Sequence, residues 1–81
     1  MLYTMEQLLY FTKARVTLEQ IAKRWSLTLK QTITAQQVAL CMIDLKLARL
    51  ANAPWHGDSI LDIVGYAACL NTINTAEETE L

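Results

Sequence analysis

Only Pro54, Gly57 and Gly65 break helices or allow tight turns in this 81-residue chain, and two of the three lie in one short stretch. Architectures of strands and turns need many more such breaks. The chain is expected to fold from helices, with a loop over residues 51–58.

Helix starts are written in side chains that satisfy free amides. Thr4 precedes Gln7, Thr17 precedes Gln20, and Thr34 precedes Gln37. A threonine hydroxyl can accept the N–H three residues on, and the glutamine there can reach back to the threonine amide. Ser59 with Asp62 is a weaker fourth start, with Asp58 as an alternative cap. Pro54 steers Ala53 away from helical geometry and ends the preceding helix. The expected fold is all-α, a compact bundle of about four helices at 5–14, 18–29, 35–51 and 59–74 in a single domain spanning 1–74. Residues 75–81 are acidic, and their composition predicts a frayed tail.

Periodicity assigns the faces. Leu18, Ile21, Ala22, Trp25 and Leu29 recur on one side of the second expected helix, with Glu19, Gln20, Lys23 and Arg24 elsewhere around it. The 35–51 segment is apolar nearly all round and is expected to be central; 59–74 is also broadly apolar. Gly65 inside it suggests close approach by another helix. Hydrophobic residues make up 53% of the chain. A domain this small has little interior, so the surplus predicts a homo-oligomer, above all a dimer with the 35–51 and 59–74 helices near its interface, or an apolar site for a protein partner.

Residues 1–30 carry five Lys or Arg against two Asp or Glu, a net of +3. Residues 31–81 carry two against six, a net of −4, and the whole chain is −1. The basic residues between 13 and 30 could face phosphate or an acidic partner, or simply form solvated helix faces. Thr17–Thr28 has the look of a helix and turn from a helix-turn-helix. The recognition helix would have to be Leu29–Ile33, which is short, and the next full helix is too apolar for a groove. Nucleic acid is therefore not the expected partner. The first apolar stretch holds Glu6 and Gln7 and lacks a basic lead, which argues against a secretory signal. No run reaches the ~18 apolar residues of a membrane span. Cys41 and Cys69 each sit in an apolar run and read as core thiols in a reducing cytosol.

Catalytic sets are incomplete. Asp58 and Asp62 lie four apart and could help hold a divalent cation, but no acidic pair stands on another helix. His56 is the sole histidine, with no second metal ligand nearby in sequence and no nucleophile at a strained turn. The expectation is no enzyme activity, no metal and no cofactor. The more informative polar residues are Lys46 and Arg49, three apart in the apolar third helix. Such charges must snorkel or meet a carboxylate. Arg49 foremost, and Lys46 with it, are expected to pair with Asp62 or Asp58, with Tyr66 adding its hydroxyl. Trp55 and His56, displayed on the Pro54 loop, are the candidate partner contact.

Three stretches carry a resemblance: Ile21-Ala-Lys-Arg-Trp, Ile33 through Leu50 ending Leu-Lys-Leu-Ala-Arg-Leu, and Pro54-Trp-His-Gly-Asp-Ser-Ile-Leu-Asp-Ile-Val-Gly-Tyr-Ala-Ala. Over about residues 20–71 they resemble a family of small phage and prophage proteins, a domain of unknown function. Its pattern includes His-x-Asp-Ser-x-x-Asp-Ile-x-Gly-Tyr-Ala. The chain departs from the family upstream, where Phe11-Thr-Lys-Ala-Arg-Val replaces an Arg-x-x-x-Tyr-Gly segment. The family is similar in turn to all-helical MazG-type nucleotide pyrophosphohydrolases, although their Glu-rich first motif is absent here. The resemblance implies a phage accessory protein of the host cytoplasm that binds a host or phage macromolecule, with inhibition as one mode of action. The alternatives it leaves are a nucleotide-binding or degenerate pyrophosphohydrolase protein, and a small DNA-binding regulator.

Overall fold

The computed structural model describes the backbone of residues 4–80 and the side chains of residues 4–6 and 13–75. Three helices, α1 (Met5–Leu29), α2 (Ala35–Asn52) and α3 (Gly57–Glu80), make up the fold, and no strand occurs among the described residues. The all-helical class is as expected; the number of helices is not.

The expected break between residues 14 and 18 is absent. Nothing from Lys13 to Thr17 opposes helix, and the chain runs straight through. The Thr17 hydroxyl donates backwards to the Lys13 carbonyl at 3.2 Å instead of capping forwards. Arg15 Nε and Glu19 Oε1, 3.0 Å apart, bridge the same stretch one turn apart. The Thr4–Gln7 box depends on the Gln7 side chain, which lies outside the described residues.

α1 stops through its backbone. Lys30 adopts φ 55°, and the Gln31 N–H donates to the Ser26 carbonyl at 3.2 Å. This is a Schellman end with lysine where glycine is usual. Ser26 then pins the loop: its hydroxyl accepts the Ile33 N–H at 2.9 Å and lies 2.7 Å from the Ala22 carbonyl, to which it donates. Residues 30–34 are therefore a tied loop, and the short recognition helix that a helix-turn-helix would need there does not form. α2 begins as expected. Thr34 Oγ1 accepts the Gln37 N–H at 3.2 Å, and Gln37 Oε1 accepts the Thr34 N–H at 2.9 Å.

α2 and α3 pack antiparallel and share the most extensive helix–helix contact; α1 meets α3 least. Leu18 and Ala22 of α1, Ala35, Val38 and Ala39 of α2, and Cys69 and Ile73 of α3 form the buried core. Leu29, the last residue of the expected α1 stripe, is exposed, as is Cys41. Burial pushes the Cys69 thiol pKa upward. α2 is less central than expected, since Leu40, Leu45 and Leu47 all remain about half exposed.

The molecule is flat. It measures 40 × 37 × 17 Å, and the thin dimension is less than two helix diameters of ~10–12 Å. Its radius of gyration is 13.7 Å, against roughly 12 Å for a compact chain of this length. α3 takes in residues 75–80, which the composition marks as a tail.

Candidate functional site

The α2–α3 hairpin carries most of the polar residues that the sequence singles out. α2 ends with the Ala53 N–H donating to the Arg49 carbonyl at 2.9 Å. The His56 N–H then donates to the Ala53 carbonyl at 3.0 Å, closing a turn with Pro54 and Trp55 at its centre. Proline presets the backbone angle that such a turn needs at its second position.

His56 caps α3. Its Nδ1 accepts the Ser59 N–H at 3.2 Å and lies 2.8 Å from the Ser59 hydroxyl, while its carbonyl accepts the Ile60 N–H at 3.3 Å. Neither Ser59 nor Asp58 is therefore the cap. Asp58 sits exposed in the first turn, where its charge complements the helix dipole. Ser59 is fully buried. A histidine beside a serine suggests a nucleophile and its base, but a substrate cannot reach this hydroxyl, and the imidazole nitrogen next to it is occupied by an amide. The pair is a structural latch. The sequence shows no distinctive sign of it, because histidine is not a favoured cap.

One helical turn further, Asp62 Oδ2 meets Lys46 Nζ at 3.0 Å. The Lys46 side chain is 15% exposed and the Asp62 side chain 46%. The lysine is the more enclosed member, its side chain largely withdrawn from water. Arg49, expected first in this pairing, is exposed and in no ion pair among the described residues. Three residues along a helix fall about 60° short of a full turn, enough to carry Arg49 off the face that meets α3. Asp58 likewise makes no ion pair among the described residues.

Tyr66, half-buried, forms no hydrogen bond with the described residues; its expected place in the ion-pair network is not taken up. It lies where two concavities meet. A small cleft of ≈ 110 Å³ is lined by Ala14, Leu61, Asp62, Gly65, Tyr66 and Cys69. A more open groove of ≈ 370 Å³ runs past Lys13, Ala14, Thr17, Leu18, Ile21, Met42 and Tyr66. A wider trough of ≈ 580 Å³ lies elsewhere, between α1 and the start of α2, beside Glu19, Lys23 and Leu27. Gly65 is not approached by another helix: a Cβ there would meet nothing within 4 Å.

The chemical capacity of this end is one ion pair, one phenol and one capped imidazole. No group of three or more metal-binding side chains occurs among the described residues. No described helix is long and apolar enough to cross a membrane. Trp55, at the tip of the turn, is 81% exposed. On α1, Lys13, Lys23 and Arg24 are exposed, as is Lys30 just beyond it, and Arg15 is paired with Glu19.

Comparison with known proteins places this arrangement in a phage lineage. The chain is 36% identical over 61 residues to the Gene 55 protein of Mycobacterium phage L5, covering 74% of this chain and 39% of that protein. It is 37% identical over 59 residues to the Gene 55 protein of Mycobacterium phage D29, covering 73% and 39%. The chain thus spans about two fifths of the length of these curated relatives. No solved structure matches it. Residues 7–74 match the family described as a domain of unknown function (DUF6378). A match over that much of its length means that the chain belongs to this family.

Proposed function

We propose that this chain is a phage accessory protein that acts in the host cytoplasm by binding a host or phage protein, with an inhibitory outcome, and without catalysis. The observation that carries this reading is Trp55. A tryptophan 81% exposed buries little of its ring in the fold. Its turn is nevertheless held on both sides, by the Ala53–His56 hydrogen bond and by the His56 cap. An aromatic side chain on a rigid support loses little entropy on docking, and tryptophan dominates the energetics of many interfaces. A net charge of −1 and a loop at residues 30–34 favour protein over nucleic acid as the partner.

The test is affinity capture from host lysate with the wild-type chain and with Trp55→Ala. The expected result is a discrete prey retained by wild type and lost from the variant, with helicity and melting temperature unchanged. A prey retained equally by both would overturn the assignment of the loop.

A nucleotide-binding reading is supported by one feature, the half-exposed Asp62 beside Tyr66 in the small cleft. Stabilisation of the wild-type chain by a nucleoside triphosphate with Mg²⁺, lost in Asp62→Asn, would move the function there.

A further inference from the structure

The outward side of α3 does not look like a surface meant for water. Ile60, Leu61, Val64, Ala67, Asn71, Asn74 and Thr75 all face solvent, and no charged side chain interrupts them. Leu61 is 68% exposed and Val64 62%. Gly65 lies beside them, and a Cβ there would meet nothing within 4 Å among the described residues. Glycine costs a helix about 1 kcal/mol relative to alanine, so a use outside the single chain is indicated.

The surface area agrees. The chain exposes 6119 Å², against roughly 4,900 Å² for a compact protein of 9.2 kDa. The surplus is about 1,200 Å². A standard two-protein interface removes about 800 Å² from each partner.

We propose that a second copy of this chain covers the surplus, with the two α3 helices packed antiparallel about a two-fold axis between Val64 and Gly65. A two-fold contact must be self-complementary, and this stripe is. The antiparallel register sets Leu61 against Ala68 of the second copy and Val64 against its Gly65, large opposite small along the whole centre. A parallel pairing would instead bring the two Asp58 carboxylates together, which like charges oppose. The dimer leaves the Trp55 turn to the separate role given above and does not depend on that role.

The test uses the full chain carrying Cys41→Ser, so that the exposed native thiol cannot react. Val64→Cys is added on this background, and Leu27→Cys is made on the same background as a control on α1. Under mild oxidation at high micromolar concentration, the Val64→Cys chain should form a disulfide-linked dimer rapidly, and the Leu27→Cys chain should not. Light scattering of the unmodified protein should give twice 9.2 kDa. Gly65→Ala adds a second readout. It should raise the thermal midpoint of the dilute chain, because the new methyl meets nothing, while weakening self-association about tenfold, roughly 1.4 kcal/mol, because the methyl separates the helices. A monomer by light scattering, equal cross-linking at the two positions, or undiminished association in Gly65→Ala would overturn the proposal.

Discussion

α1 and α3 are helices of nearly equal length, 25 and 24 residues, yet their outer faces are built on different rules. Over residues 13–25 the outward side of α1 carries Lys13, Thr17, Gln20, Lys23 and Arg24, with Val16 as an isolated apolar residue, while Met5, Leu27 and Leu29 are exposed at its two ends. That is the pattern of a helix finished on its outer side, where single exposed apolar residues need no explanation. The outward side of α3 carries Ile60, Leu61, Val64 and Ala67 in succession. Both helices bury only one narrow stripe in the small shared core. The contrast teaches that a high apolar content is not by itself a core. Here much of it lies on the outer sides of α2 and α3, and four of the seven basic residues lie on α1.

The sharpest break of the comparison sets the two sides of α3 against each other. Ile73, 2% exposed, belongs to the core, and Ile73→Ala should cost about 3 kcal/mol at any protein concentration. Leu61→Ala should cost within ~0.5 kcal/mol in dilute solution, as for a surface site. Its cost should grow as concentration rises, because dimerisation adds stability by mass action. Urea melts at two concentrations separate the behaviours; an equal, concentration-independent loss for Leu61→Ala would make its exposure misleading.

The Lys46–Asp62 pair comes next. Asp62→Ala should destabilise by about 1 kcal/mol, near the upper end for a pair whose carboxylate is half in water. The lysine it leaves behind can still reach outward along its stem. Lys46→Met together with Asp62→Leu should recover much of the loss. Arg49→Met should change stability by less than ~0.5 kcal/mol. A double-mutant cycle that couples Asp62 to Arg49 rather than to Lys46 would reverse the assignment.

The ends of the helices give a similar contrast. His56→Ala removes the acceptor for the Ser59 amide and should cost about 1 kcal/mol in thermal melts. His56→Asn, which can also cap, should restore most of it. Lys30→Gly should act the other way, stabilising by up to about 1 kcal/mol, because lysine at φ 55° bears a cost that glycine does not.

These details also show what the sequence could and could not reveal. The all-helical class was legible from the scarcity of glycine and proline, and the Thr34–Gln37 box was legible because a real loop precedes it. Thr17–Gln20 has the same letters and forms no cap. The pattern is local, and the continuous helix from Lys13 to Thr17 offers the threonine a carbonyl behind it instead. Which of Lys46 and Arg49 meets Asp62 depends on the rotation of α2 against α3, which periodicity cannot resolve in a helix apolar nearly all round. The His56 cap and the Ser26 clamp on Ile33 depend on loop geometry that no spacing rule encodes. The surplus of apolar residues was legible in the composition, and its place on the 35–51 and 59–74 helices in their sequence; which of those residues stay exposed required the fold.

A matched pair of double variants tests the central claim most directly. Leu61→Asp with Val64→Asp puts two charges on the outer side of α3; Val16→Asp with Leu27→Asp does the same to α1. Sedimentation equilibrium at high micromolar concentration should give a single 9.2 kDa chain for the α3 variant and twice that mass for wild type and the α1 variant. Circular dichroism should confirm that all three remain helical. One mass shared by all three proteins, or dissociation caused by the α1 charges alone, would contradict the account.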